Sequence, residues 1–438
     1  MTWREALLDM TVHGIGPAIG EFMPALDQYF RAMVAQGASD FHLSSGNRAT
    51  YRIAGAITPV GKEILTADAV EKLIYEIIPE RNRLEFEQTR DTDFAYELDG
   101  AGRYRCNVFA DSKGIGAVFR LIPSKILGFK ELGLPDSIKR FCFLQKGMVL
   151  VTGPTGSGKS TTLAAIIDFI NEHRSDHLIT IEDPIEFMHC NKKCIINQRE
   201  VHSHTKSFKG ALRAALREDP DVVLVGEMRD VETVRIALET AETGHLVFGT
   251  LHTISAHATV DRLINQFPAD EQSQVRCGLA ETLKGVVSQA LCKRKDGKGR
   301  IAALEILMGS YALSANIREG KLQQIPNSIQ MGRKEGMCSL NDSLLDLLAK
   351  DIIEPAEAYH KASAKEELLK RMTALPGCRA PSGKPWTEEE LNQASEGPEF
   401  VADGDGNNSA NISNRLPPPP AIRHGGIDEL QSEAVVAR

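Results

Sequence analysis

No uninterrupted apolar run in this 438-residue chain approaches the roughly 20 residues that a membrane-spanning helix needs, which predicts a chain without a transmembrane segment. The opening MTWREALLDMTVHG carries acidic residues where a secretory signal needs a basic start and an apolar run, so secretion is not expected. Tryptophan is nearly missing: Trp3 and Trp386 both lie in the terminal segments. Close cysteine pairs are missing as well. The eight cysteines at 106, 142, 190, 194, 277, 292, 338 and 378 contain no Cys-x-x-Cys, and the closest spacing is Cys190 to Cys194. That pattern argues against a structural zinc site and for reduced thiols used as small core residues. An excess of positive charge is absent too. With 51 Lys and Arg against 59 Asp and Glu the net charge is −8, and no nucleic-acid partner is expected.

The charge is unevenly spread. Residues 373–438 hold 8 of the 20 prolines, and their 5 Lys and Arg against 10 Asp and Glu account for −5 of the net charge. With few apolar residues and no periodicity, this segment reads as a disordered, Pro-rich acidic tail. At the other end, residues 1–37 read as a helical extension, with Leu7, Leu8, Ile15, Ile19, Phe22, Leu26, Phe30 and Val34 at loose helical spacing. Between 38 and 123, short alternating stretches such as YRIAG, YRCNVFA and GAVFRLI predict a small α+β domain, with one helix near 67–78. Residues 124–146, with Pro135 and several glycines, read as a linker. A second domain over 147–372 opens on the buried-strand pattern GMVLVTG. Further apolar runs at 178–183, 222–227 and 245–252 alternate with helical patterns at 160–171, 208–217 and 231–242, which predicts a mostly parallel sheet covered by helices. From Val260 to Met372 the pattern is mostly helical, with one possible strand at 300–307.

Gly153, Pro154, Thr155, Gly156, Ser157, Gly158, Lys159 and Ser160 fit G-x-x-x-x-G-K-[ST], and Thr161 follows. Glycines free the backbone so that consecutive N–H groups can face phosphate oxygens; Lys159 supplies charge to the β- and γ-phosphates, and the Ser160 hydroxyl suits Mg²⁺. The motif sits between a strand and a helix, the context that distinguishes a nucleotide site from a Gly-rich turn. Glu182, Asp183, Glu186 and Glu227 follow strand ends, where ligands of open α/β sheets bind, and can tune Mg²⁺ or orient an attacking water. His252, at the end of the fourth run and followed by Thr253, reads as a γ-phosphate sensor, while His245 stays open between a structural and a catalytic role.

Four boxes carry a resemblance: GPTGSGKST, ITIEDPIEF (179–187), LREDPDVVLVGEMRD (216–230) and TGHLVFGTLHT (243–253). In this order they resemble the type II/IV secretion ATPase superfamily and, within it, the type IV pilus retraction (PilT-like) ATPases. The resemblance covers about Ala38 to Leu348. It implies an α/β fold: a RecA-like P-loop ATPase domain preceded by a PAS-like domain, with a helical C-terminal part. It implies a homo-hexameric, Mg²⁺- and ATP-dependent motor in the cytoplasm, held against the inner membrane at the pilus base by a platform protein, with a paralogous pilus ATPase as a possible companion. Glu186 matches the family's general base and Glu227 the residue that works with Mg²⁺ and its water. Arg213 and Arg217 match its γ-phosphate contacts, and Arg105 and Arg120 its N-terminal-domain arginines, which reach a nucleotide across a domain or subunit boundary. The four-cysteine zinc insertion of the extension and type II secretion ATPases has no counterpart here, which favours retraction. The stretch ALSANIREG (312–320) keeps Ile317, Arg318 and Glu319 of the family's AIRNLIRE-like helix but departs in its first half, so an accessory (PilU-like) retraction ATPase or a weakly hydrolysing assembly factor stays open. The basic segment KRKDGKGR (293–300) reads as a solvated turn.

Overall fold

A computed structural model describes residues 24–395 apart from 54–55, 123–124, 298, 376–377, 381 and 383. Expectations for 1–23 and 396–438 lie outside these residues.

The N-terminal domain begins earlier than its sequence pattern suggested. Helix Leu26–Ala35 precedes strands β1 (Ala38–Ser44), β2 (Thr50–Ile53) and β3 (Ala56–Pro59). Helices Ala67–Tyr75 and Glu80–Thr89 lead into β4 (Asp91–Leu98), β5 (Gly102–Asp111) and β6 (Gly114–Ile122). The sheet has the order β3-β2-β1-β6-β5-β4 with antiparallel neighbours. One face carries Phe41, Tyr104 and Phe119 into a core that also buries Leu26, Phe30 and Met33 of the first helix. Phe30 stacks on Tyr104 with centroids 4.3 Å apart and meets Phe119 edge-on at 5.1 Å. That helix is therefore part of the domain and not an extension ahead of it: its apolar stripe covers one face of the sheet. The opposite face is charged, because strand alternation places Arg103, Arg105 and Arg120 there.

The presumed linker is also structural. Residues Phe129, Leu134, Ile138, Phe141 and Cys142 are buried in the ATPase core. Their apolar side chains, carried on short helical turns at Phe129–Leu132, Asp136–Ile138 and Lys139–Cys142, outweigh the Gly and Pro signals around them.

The second sheet runs β13-β12-β7-β11-β10-β8-β9. Its strands are β7 (Gly147–Thr152), β8 (His177–Glu182), β9 (Ile195–Glu200), β10 (Val222–Val225), β11 (Leu246–Leu251), β12 (Leu283–Lys293) and β13 (Arg300–Met308). All neighbours are parallel except β12 and β13. Every residue of β7, β10 and β11 is buried, as strands covered on both faces require. Helices Lys159–His173, Phe208–Ala215, Val231–Glu242 and Ala256–Asn265 lie between strands. Several start on a side-chain cap: Asp230 accepts the Thr233 N–H at 2.9 Å, and Ser255 accepts that of Ala258 at 3.2 Å.

Strand β12 was not expected, since its apolar run follows helix Gln272–Thr282 and reads as its continuation. Pairing to β7 on one side and β13 on the other decides the matter. Lys293 ends β12 and Arg300 opens β13, and between them Arg294 pairs with Asp296 at 2.8 Å and Lys295 with Asp351 at 2.7 Å.

Beyond β13, helices Leu340–Ala349, Pro355–Lys361, Lys365–Met372 and Glu388–Ser395 form a third apolar cluster with Leu344, Tyr359, Leu368, Met372 and Leu391 buried. The disorder expected from residue 373 fails as far as 395: Leu391 and Trp386 are apolar anchors that pack into this cluster. Among the described residues no helix is long and apolar enough to cross a membrane.

Candidate functional site

Strand β7 delivers the chain to Gly153, whose φ of +146° is open to glycine. A Cβ there would sit 2.4 Å from the Gln289 carbonyl oxygen and 2.5 Å from Ser157 Oγ, so no other residue fits. Gly158 (φ +87°) then turns the chain into helix Lys159–His173. The first turn of that helix, with Lys159, Ser160 and Thr161, presents unpaired N–H groups at its positive end, a ready anion site. The Lys159 ammonium folds over the loop, donating to the carbonyls of Gly153 at 2.9 Å and Pro154 at 3.2 Å. Burial draws its pKa below the ordinary lysine value, while Glu227 and Glu186 pull the other way. Both carboxylates therefore lie within electrostatic reach of the loop lysine.

Glu227 follows β10 and is held by an arginine and a histidine. Arg229 Nε lies 2.6 Å and His252 Nε2 2.9 Å from its Oε1. Burial alone would raise its pKa, but the Arg229 guanidinium and the His252 ring outweigh burial and keep it below the usual carboxylate range. The other nitrogen of His252 stands 3.5 Å from Thr155 Oγ1, so the ring spans the gap from Glu227 to the phosphate loop. Glu182, at the end of β8, behaves differently. Burial pushes its pKa up to about 7, opposed by the Thr180 hydroxyl at 2.6 Å, by Gln198 and by the Glu186 backbone. Glu186 itself is exposed, on the loop after the cis Asp183–Pro184 peptide.

The chain gathers Lys159, Glu186, Glu227 and His252 around the loop, while the four arginines lie elsewhere. Arg105 pairs with Asp93 at 3.9 Å and Arg120 with Asp40 at 2.7 Å, both within the N-terminal sheet. The two arginines sit directly opposite each other on β5 and β6. Arg213 pairs with Glu232 at 2.7 Å, and Arg217 donates to the Arg213 carbonyl at 3.2 Å. His245 precedes β11 at the amino edge, away from the loop, where its Nδ1 lies 3.0 Å from the Thr240 carbonyl.

Sequence reasoning missed the residues that brace the loop from β12. Gln289 donates to the Ser157 carbonyl at 2.6 Å and accepts from the Thr162 hydroxyl at 2.9 Å. Its neighbour Ser288 meets Thr152 Oγ1 at 2.8 Å. The available signal was a polar Ser-Gln pair inside the apolar run GVVSQAL (285–291). Replacing Gln289 with Leu leaves the Ser157 carbonyl without its partner, an expected cost of about 1–3 kcal/mol. Thermal melts with and without ADP should show a lower Tm and a smaller ADP-induced rise than wild type.

A buried parallel sheet whose carboxyl edge brings together a phosphate loop, strand-end carboxylates and a histidine defines a P-loop ATPase of RecA-like type. The family model described as "Type II/IV secretion system protein" matches residues 19–341, and the chain belongs to that family. The chain is 51% identical over 331 residues to the type IV pilus retractation ATPase PilT of Pseudomonas aeruginosa, covering 76% of this chain and 96% of the relative. It is 48% identical over 317 residues to a twitching motility protein of Neisseria gonorrhoeae, covering 72% of this chain and 85% of that one. The crystal structure of a pilus retraction motor PilT with bound ADP superimposes with a TM-score of 0.74 at 44% identity, covering 80% of this chain and all of the other.

Proposed function

We propose that this chain is an ATP-hydrolysing motor that powers retraction of type IV pili, and with it twitching motility, by removing pilin subunits from the filament base. The observation that carries this reading is the Lys159, Glu227 and His252 constellation on the phosphate loop, in a chain about half identical to a pilus retraction ATPase over nearly that relative's full length. The working form is a homo-hexamer on the cytoplasmic side of the inner membrane, docked to a platform protein.

In this reading Gly153 to Thr161 cradle the phosphates and Lys159 neutralises the β- and γ-oxygens. Glu227, kept anionic by Arg229 and His252, suits a divalent cation, and with the Ser160 hydroxyl would hold Mg²⁺. When bound, the ion would offset charge on the transferring phosphoryl group. Glu186 takes the proton of the attacking water, and His252 reports the γ-phosphate to Glu227 and the loop. Arg213 and Arg217 contact the γ-phosphate once their present partners release them. Arg105 and Arg120 are delivered by the N-terminal domain to a nucleotide at a domain or subunit boundary, where guanidinium charge stabilises the transition state. Their position on the charged face of the N-terminal sheet supports this: Arg103, on that same face, reaches the ATPase domain at Glu200.

Deleting the chromosomal copy of this chain should give cells with excess surface pili that do not move. Bald cells would instead indicate an extension motor. The accessory reading rests on the departure at 312–316, in helix Tyr311–Arg318, where Leu313 and Ile317 are buried and Ser314 donates to the Ala280 carbonyl at 2.5 Å. ATP binding with negligible turnover by the purified ring would favour that reading.

A further inference from the structure

We propose that Arg103 and Glu200 form a latch through which the N-terminal domain sets the position of the loop carrying Glu186. The proposal deepens the reading above, because it rests on Glu186 acting as the base.

Arg103 stands on β5, two residues before Arg105 and on the same face of the sheet. Its Nη2 donates to Glu200 Oε2 at 2.7 Å, at the far end of β9 in the ATPase domain. Arg103 is 13% exposed and Glu200 5% exposed at the side chain. Removing two charges from water costs more than an apolar pair would, so such an ion pair is poor value as glue and better suited to fixing one relative position.

What Glu200 holds matters more than the pair itself. The same Oε2 accepts the backbone N–H of Ile185 at 3.1 Å, and Oε1 accepts the Ser203 hydroxyl at 2.8 Å. Ile185 is fully buried and immediately precedes Glu186. On the other side of Glu186, Arg103 Nη1 touches Met188 Sδ at 3.8 Å. One guanidinium thus grips the 183–188 loop on both sides of the base: through Glu200 to Ile185, and directly at Met188. A second strut runs in parallel, since Arg81 on helix Glu80–Thr89 donates to the carbonyl of His202, in the turn that follows Glu200.

The latch also has a release position. Glu97 lies directly opposite Arg103 on β4, and its carboxylate is 3.7 Å from Arg103 Nη1 on the exposed side. If the N-terminal domain swings away, Arg103 keeps a carboxylate on its own domain, while the Ile185 N–H and the loop lose the guanidinium anchor. Both carboxylates contact Arg103 at once here, so losing Glu200 while keeping Glu97 gives the element its second arrangement, as coupling between distant parts requires. Arg103 is a positioning residue here, acting on Glu186 through the loop.

The test uses full-length protein carrying Arg103→Ala, Glu200→Gln, both together, or Arg103→Lys. Steady-state ATP turnover is read beside the Kd of a fluorescent ADP analogue. Each single change should lower kcat about tenfold, with KM and analogue binding within about twofold, because the phosphate loop is untouched. The double variant should fall no further than the worse single, and Arg103→Lys should recover most of the loss. A purely structural role would lower Tm and binding together without this split. Unchanged kcat in Arg103→Ala, or a double-variant loss equal to the product of the singles, overturns the latch. Glu186→Gln is run alongside. If that variant turns over normally, the assignment of the base fails; if it is inactive while Arg103→Ala is unaffected, the latch alone fails. Should Glu200→Gln not fold, Arg103→Ala and Arg103→Lys decide the outcome by themselves.

Discussion

Lys159→Ala should abolish ATP turnover while leaving the fold intact. The ammonium donates to the loop carbonyls of Gly153 and Pro154, so it stands directly over the phosphate loop. Removing a preorganised donor from developing charge costs about 10²–10³-fold in kcat, and a phosphate-loop lysine also contributes to binding, so the loss should reach at least that range. Stability should change little, because Pro154 is exposed and water can replace the ammonium at its carbonyl. Phosphate release and a thermal melt on the same preparation check both parts. Wild-type turnover in this variant would remove the phosphate loop from the mechanism.

Glu186→Gln carries the second large effect. The side chain is exposed, and its backbone N–H faces Glu182, so the amide fits without repacking and only the base is lost. Loss of general-base assistance is expected to slow turnover about 10²–10⁴-fold. ATP should still bind, and the variant should accumulate in a nucleotide-bound form. A fluorescent-nucleotide titration separates this outcome from Lys159→Ala, in which binding falls as well. The neighbouring carboxylates are engaged elsewhere. Glu227 is held low by Arg229 and His252, and Glu182 is half-buried and already committed to Thr180 and Gln198.

The legible part of the site was the part written in local sequence. Gly153 to Thr161 announce themselves through spacing, because the loop demands glycine where φ is positive and a lysine where the helix begins. The strand-end carboxylates and His252 followed from the rule that ligands sit at the carboxyl edge of such sheets. What escaped notice acts from a distance. Gln289 lies 132 residues from the carbonyl it holds, and Arg103 lies 97 from Glu200, so neither leaves a local pattern. Strand β12 was hidden for the same reason: an apolar run after a helix can be helix or strand, and only pairing decides. The helix Leu26–Ala35, the segment 124–146 and the residues around Leu391 were all read as peripheral, since Pro, Gly and polar neighbours masked apolar side chains that the cores use.

Without paired cysteines or long apolar runs, the chain depends on apolar clusters, and four of its cysteines (106, 142, 194 and 292) are buried in them. The sequence by itself determined the chemistry: a phosphate loop, its lysine and the acids beside it, because these depend on short-range geometry and side-chain type. The tertiary structure decided how that chemistry is held and linked. It chose which strand braces the loop, where helices cover the sheets, and which arginine crosses between domains. Those choices depend on contacts between residues far apart in the chain, whose energy exists only once the fold has brought them together.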